Sequence, residues 1–199
     1  MISWLVSHCN APNKREKYVA LLSKITPVDI YGQCANGFGL TNKISHYSEE
    51  EKELLSSYEF YLSFENTHCP EYVTEKIYKI INSDISHNPP VPIVMGPNKT
   101  FYEEILPSNS FIHVDDYESA ENLGNYLYEL NTQPSQYFKY LKFRNHNKLV
   151  CDKDSVPCKL CNILLERNRL PYHEILALNQ NDLIISNFEE FWNKAKCRN

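Results

Sequence analysis

The chain has 199 residues, a formal net charge of -5 and 42% hydrophobic residues, which suffices for one sizeable globular domain with a buried core. Acidic and basic residues are mixed along the chain, so the charge pattern does not predict a nucleic-acid partner. No apolar run approaches the length needed to cross a bilayer. A phosphate-bearing ligand would therefore have to be held by locally placed cations.

The first 25 residues are predicted to form a strand and a helix. Ile2, Trp4 and Val6 alternate with polar or smaller neighbours, which is typical of a strand. A helix is predicted from about Asn13, and Arg15 in its first turn is a candidate phosphate contact, since a cation at a helix start opposes the macrodipole unless an anion is bound. A solvated basic face is the alternative. The expected buried face of this helix consists of Tyr18, Leu21, Leu22 and Ile25.

A second strand is predicted over residues 27–32, which end in glycine. Residues 33–47 contain further glycines among polar neighbours and are predicted to be a loop. Ser48, followed by three glutamates, has the pattern of a capped helix start. This helix is expected to end before Tyr58.

The stretch 58–81 has the most informative pattern in the chain. Aromatic and apolar residues occupy every second position from Tyr58 to Phe64, which predicts a strand. Polar and turn-forming residues follow at 65–70, and isoleucines recur at helical spacing after Thr74. Because ligands bind beyond the carboxyl ends of strands in doubly wound folds, this helix start is predicted to hold an anion, with Lys76 adding a full charge.

Strands and helices continue to alternate as far as about residue 145. Strands are predicted at 91–96 and 110–114, and helices at 100–105 and around Leu123 and Tyr137. This order predicts an α/β fold with a mostly parallel, Rossmann-like sheet and helices on both faces. Residues 148–199 are predicted to form a cysteine-containing extension that ends in an amphipathic helix packed on the core.

Seven cysteines favour an oxidising compartment, and their odd number leaves at least one without a partner in the chain. Cys158 and Cys161 have the spacing of half a zinc site or of a redox pair, but no second such pair follows, so a structural disulfide role is preferred. Asn98 lies in an Asn-Lys-Thr triplet, which makes it a candidate for N-glycosylation.

Several long segments, in register, closely resemble the donor-binding half of the α-1,3-fucosyltransferases. The resemblance spans nearly the whole chain, and CKLC at 158–161 looks like the C-terminal cysteine pair of that family. The matching segments are WLVSHCN at 4–10, VDIYGQC at 28–34, FYLSFEN at 60–66, YVTEK at 72–76, VPIVMGP at 91–97 and SFIHVDDY at 110–117.

The resemblance implies the C-terminal, GDP-fucose-binding domain of a GT-B type glycosyltransferase, with residues 1–147 as its Rossmann-like core. Such an enzyme transfers L-fucose from GDP-fucose to a glycan hydroxyl with inversion. By similarity, Arg15 and Lys76 neutralise the diphosphate. Asn66 and Tyr72 form hydrogen bonds with oxygens of GDP-fucose, and Glu75 accepts hydrogen bonds from the ribose hydroxyls. No metal or cofactor is required, because protein cations replace a divalent ion.

The resemblance also implies what this sequence lacks. The family's acceptor-binding N-terminal domain, which carries the catalytic base, has no counterpart here, so no catalytic residue is assigned and the chain is expected not to turn over alone. That domain is the expected partner, and Cys158 and Cys161 are expected to lack the cysteines that they bond there. Residence on the lumenal side of the Golgi membrane, with a role in protein glycosylation, is implied by similarity alone.

Other interpretations of the same residues stay open. Tyr72 suits a partly buried aromatic at a helix entrance, Asn66 suits a turn, and Glu75 and Lys76 suit ordinary first-turn charges. At the level of function, the chain could be a non-catalytic GDP-fucose-binding fragment or a degenerate enzyme. A small disulfide-stapled secreted protein that binds no nucleotide is the third possibility.

Overall fold

The computed structural model describes residues 1–38, 48–81 and 89–145. Its centre is a five-stranded, all-parallel sheet in the order β2-β1-β3-β4-β5. The predicted α/β class with a parallel sheet is thereby confirmed. The strands are β1 (Ile2–Leu5), β2 (Val28–Tyr31), β3 (Phe60–Phe64), β4 (Val91–Met95) and β5 (Ile112–His113).

Helices follow the strands in the order that the sequence pattern predicts. Ser48 caps α2 by accepting a hydrogen bond from the backbone N–H of Glu51. Within the described ranges, no helix is long and apolar enough to cross a membrane. The helices are α1 (Arg15–Leu22), α2 (Glu49–Ser56), α3 (Glu75–Ile81), α4 (Lys99–Ile105), α5 (Ala120–Asn131) and α6 (Pro134–Tyr137), with 3-10 segments at Gln33–Phe38, Val114–Asp116 and Phe138–Asn145.

Helices cover both faces of the sheet. One face packs against α1 and α5, and its core includes Trp4, Leu62 and Ile93. The opposite face packs against α2, α3 and α4, where Tyr61 contacts the α2–α3 side and Val94 the α3–α4 side. Because neighbouring residues of β3 and β4 face opposite layers, all five residues of each strand are buried.

The buried face of α1 differs from the predicted one. Leu21 and Ile25 are 53% and 41% exposed, whereas Arg15, Val19 and Leu22 point inwards. The helix begins at Arg15 rather than near Asn13, because Lys14 adopts a left-handed conformation, and it ends before Ile25. A charged residue thus occupies the first position of the buried stripe, which shifts the stripe around the helix.

Two other boundaries differ from the predictions. Residues 33–38 form a 3-10 helix instead of loop, and the strand predicted at 110–114 is reduced to the two residues of β5. The predictions for residues 39–47 and for the extension 148–199, including Cys158 and Cys161, lie outside the described residues, so the proposed division at residue 147 stays a prediction.

Replacing Gly32 with alanine is expected to destabilise the fold. Gly32 has φ 96°, and a Cβ there would lie 2.5 Å from the backbone oxygen of Val6. Both the left-handed backbone and the clash with a main-chain atom oppose a side chain, so we expect the free energy of unfolding to fall by about 2–3 kcal/mol. Gly37→Ala is the matched control, because a Cβ at Gly37 meets nothing within 4 Å. Equal urea midpoints for the two variants would contradict this account.

Candidate ligand-binding site

The strand order creates a switch point between β1 and β3. From β1 the chain first adds β2 on one side, and from β3 onwards it builds towards β5 on the other. The connections that follow β1 and β3 therefore run to opposite sides, which leaves a crevice at the carboxyl ends of these two strands. Doubly wound proteins bind ligands in such a crevice. A cavity of about 330 Å³ lies there, within the size range of small-molecule sites.

Three parts of the chain line the cavity. The end of β1 and the following turn contribute residues 5–8, and the region of β3 contributes Tyr61 and Asn66. The helices contribute charged side chains, namely Arg15 from α1 and Glu75, Lys76 and Lys79 from α3. Cations from two helices thus meet at one edge of the sheet.

Four of the five residues predicted to bind a donor lie together here. Arg15, Asn66, Glu75 and Lys76 all line the cavity. Tyr72 lies half-buried in the loop between β3 and α3 and is not among the lining residues. The structure therefore brings the predicted charged groups and Asn66 to one site, and Tyr72 is not part of its lining.

Arg15 joins the ends of the two strands that border the cavity. Its guanidinium donates from Nη1 to the oxygen of Phe64 and from Nη2 to the oxygen of His8, both at 2.7 Å. The side chain is 2% exposed and its Cζ lies 5.6 Å from the centre of the Trp4 ring. Burial lowers the pKa of Arg15, yet a guanidinium keeps its charge in proteins. Arg15 is thus a buried cation fixed by the backbone at the switch point.

Glu65 already supplies an anion at the start of α3. Its carboxylate, 1% exposed, accepts hydrogen bonds at 2.8 Å from the backbone N–H of Thr74 and from Nζ of Lys76. The prediction that the free N–H groups of this helix start hold a phosphate is therefore wrong for Thr74, since the internal carboxylate occupies its N–H. Lys76 keeps a 23% exposed side chain and faces the cavity.

The polar groups around these cations are suited to hydrogen bonding. Oδ1 of Asn66 is buried and accepts no hydrogen bond from the described residues, so it can accept one from a ligand. The carboxylate of Glu75 is 60% exposed and lies 3.8 Å from Nζ of Lys76. The cavity therefore offers cations, an amide and a carboxylate, a set that matches a ligand with anionic groups and hydroxyls.

Three residues at or next to this site were not among those predicted to bind a ligand. Glu65 lies among the polar residues that follow the predicted strand, and its carboxylate accepts a hydrogen bond from Lys76. Tyr61 and Lys79 were not singled out. The side chain of Tyr61 points to the opposite face of the sheet from those of the residues before and after it, and Lys79 lies about one helical turn after Lys76. Nζ of Lys79 lies 2.6 Å from Oε1 of Glu51, and these side chains are 12% and 2% exposed.

A disulfide supports the turn that follows β1. Cys9, next to His8, is bonded to Cys34 in the 3-10 helix after β2. Since His8 provides the carbonyl that accepts from Arg15, the disulfide stabilises a wall of the cavity. In the described part of the chain, no three His, Cys, Asp or Glu side chains form a group able to hold a metal ion.

Asn98, the candidate glycosylation site, lies at the start of α4. Its side chain is exposed, and Oδ1 accepts a hydrogen bond from the backbone N–H of Phe101 at 2.9 Å. The amide therefore caps this helix. Glycosylation of Asn98 stays a prediction.

Comparison with known proteins identifies a closely matching family. Residues 1–180 match the model of the C-terminal region of glycosyltransferase family 10 (fucosyltransferase). The 4-galactosyl-N-acetylglucosaminide 3-alpha-L-fucosyltransferase FUT6 of Pongo pygmaeus is 33% identical over 178 residues, covering 89% of this chain and 46% of the relative. Glycoprotein 3-alpha-L-fucosyltransferase A of Drosophila melanogaster is 34% identical over 172 residues, covering 85% and 32%.

Solved structures give the same result. A crystal structure of an alpha1,3-fucosyltransferase with GDP-fucose has a TM-score of 0.54 and 30% identity, covering 71% of this chain and 38% of that one. A structure with GDP has the same TM-score and identity. The chain thus spans less than half the length of each of these relatives and structures.

Proposed function

Because this chain belongs to glycosyltransferase family 10, the fucosyltransferases, and matches its C-terminal region, we propose that its switch-point cavity binds GDP-fucose. The chain supplies the donor half of an α-1,3-fucosyltransferase, which transfers L-fucose to a hydroxyl of a glycan. The observation that carries the proposal is the convergence of Arg15 and Lys76 on one cavity between β1 and β3. Nucleotides bind at that position in doubly wound folds.

The residues of the cavity have distinct roles in this proposal. Arg15 and Lys76 neutralise the diphosphate, and Glu75 accepts hydrogen bonds from the ribose hydroxyls. Asn66 uses its unpaired Oδ1 on a donor hydroxyl, and Tyr72 reaches the ligand from the loop beside the cavity. These assignments follow the family motif, and the positions of Arg15, Asn66, Glu75 and Lys76 in the cavity lining support theirs.

The reaction requires two kinds of assistance. The acceptor oxygen forms a bond to the anomeric carbon of fucose while the bond from that carbon to the diphosphate breaks, which inverts the anomeric centre. The leaving GDP gains negative charge, and fixed cations stabilise that charge as it develops. The acceptor proton passes to a base, which we place in the N-terminal domain of the same enzyme. No metal ion or other cofactor is needed in this scheme.

A second candidate is a protein that binds GDP-fucose without transferring fucose. The cavity residues that support this candidate are those that would contact the donor, namely Arg15, Asn66, Glu75 and Lys76. We propose residence on the lumenal side of the Golgi membrane, which the family resemblance implies, and the Cys9–Cys34 disulfide supports an oxidising compartment.

Calorimetric titration of the 199-residue chain with GDP tests the donor site. We expect saturable binding of GDP and weaker binding of UDP. Lys76→Ala should weaken GDP binding by about 10- to 100-fold, because it removes a charged hydrogen bond to phosphate. Lys52→Ala, on the exposed part of α2, is the control and should bind as the wild type does. A flat titration of the wild type ends the proposal. Transfer of labelled fucose by the chain alone would instead favour a complete enzyme.

A further inference from the structure

We propose that Lys79, held by Glu51, is a third cation for the diphosphate of the donor, an inference that rests on the proposed function. Lys79 lines the same cavity as Arg15 and Lys76. It follows Lys76 by three residues on α3, and side chains at that spacing are neighbours on a helix surface. The two ammonium groups can therefore act on one ligand.

The other two cations already donate hydrogen bonds to the protein. Arg15 donates two of its five N–H groups to the carbonyl oxygens of Phe64 and His8, and its buried Nε has no hydrogen-bond partner among the described residues. Lys76 donates to Glu65 at 2.8 Å and to Oγ1 of Thr74 at 2.6 Å, which leaves one of its three protons for a ligand. Two phosphate groups present more acceptor oxygens than these remaining donors can satisfy. Lys79, which lines the same cavity, supplies further donors for these oxygens.

The position of the Lys79–Glu51 pair favours a role in binding over one in stability alone. A buried ion pair contributes little net stability compared with two apolar residues of similar size. Glu51 is 2% exposed and is not among the residues that line the cavity, whereas Lys79, whose side chain is 12% exposed, is one of them. The carboxylate therefore holds the ammonium from outside the cavity lining. The same arrangement holds Lys76, with the buried Glu65 behind it.

The test removes the pair together, so that no buried charge is left alone. Glu51→Leu combined with Lys79→Met should keep the urea midpoint of the wild type. Its affinity for GDP should fall about tenfold, as expected for the loss of one charged hydrogen bond, while its affinity for guanosine stays unchanged. The matched control is Glu49→Leu with Lys52→Met, which removes an exposed pair from α2 and should leave both affinities unchanged. Lys79→Arg keeps the charge and should bind GDP within about threefold of the wild type.

Three results would overturn the inference. If the double variant binds GDP like the wild type while Lys76→Ala does not, Lys79 only ties α3 to α2. If GDP and guanosine lose affinity equally, the pair shapes the cavity and does not contact phosphate. If the double variant misfolds, GDP binding is measured on Lys79→Gln instead. Unchanged GDP affinity in that variant would contradict the inference. Failure of the wild type to bind GDP is a different result, since it removes the proposed function itself.

Discussion

Replacing Arg15 with alanine is expected to abolish measurable GDP binding and to lower the free energy of unfolding by about 3–5 kcal/mol. The change deletes two hydrogen bonds of 2.7 Å to backbone oxygens, of Phe64 and His8. It leaves these carbonyls without their charged donor in a region where Arg15 itself is only 2% exposed. The packing of the guanidinium over Trp4 is also lost.

Urea denaturation and GDP calorimetry measure the two effects separately. Arg15→Lys keeps the charge but cannot span both carbonyl oxygens with a planar fork, so it should recover only part of either property. Lys17→Ala removes an exposed cation from the same helix and should change stability by less than about 0.5 kcal/mol. An Arg15→Ala protein as stable as Lys17→Ala would show that the bridge between the two strand ends is unimportant.

Glu65→Ala is expected to have the second-largest effect, a loss of about 3–5 kcal/mol in the free energy of unfolding. The carboxylate accepts from the backbone N–H and hydroxyl of Thr74 and from Lys76. Its removal leaves the N–H of Thr74 without its acceptor and takes from Lys76 the carboxylate, 1% exposed, to which its ammonium donates. Urea denaturation measures the loss.

A double-mutant cycle of Glu65→Leu, Lys76→Met and the two together isolates the contribution of the ion pair. The double variant should be more stable than Glu65→Leu alone, because it leaves no ammonium without its carboxylate. Glu75→Ala, a change at a carboxylate that is 60% exposed, should cost less than about 0.5 kcal/mol. If Glu65→Ala costs no more than Glu75→Ala, the carboxylate does not hold the start of α3.

Local patterns were sufficient to predict most of the fold. The alternation from Tyr58 to Phe64 and the unbroken apolar run of β4 identified the two central strands. Ser48 identified the start of α2, because its hydroxyl serves a backbone N–H only three residues away. Such signals involve residues that are close in the sequence, so they can be read without knowing the tertiary structure.

The site was only partly predictable, because its decisive contacts join distant parts of the chain. Arg15 was predicted as a phosphate contact or a solvated cation, yet it is buried and its acceptors are 7 and 49 residues away. Because the local pattern does not show that Arg15 is buried, Leu21 and Ile25 were predicted on the buried face of α1, whereas both are exposed. Lys79 was missed for a similar reason, since its partner Glu51 is 28 residues distant. Arg15 and Lys76 were identified from their positions at helix starts as well as from the family motif, and Asn66 and Glu75 from the family motif alone.

The Cys9–Cys34 bridge determines how this protein should be produced. It closes a loop with a sequence separation of 25 residues, and a crosslink of that span is worth about 3 kcal/mol through its effect on the unfolded chain. A bacterial cytoplasm keeps thiols reduced, so protein made there lacks this disulfide beside His8. Protein for nucleotide-binding measurements should therefore be secreted from insect or yeast cells or exported to a bacterial periplasm.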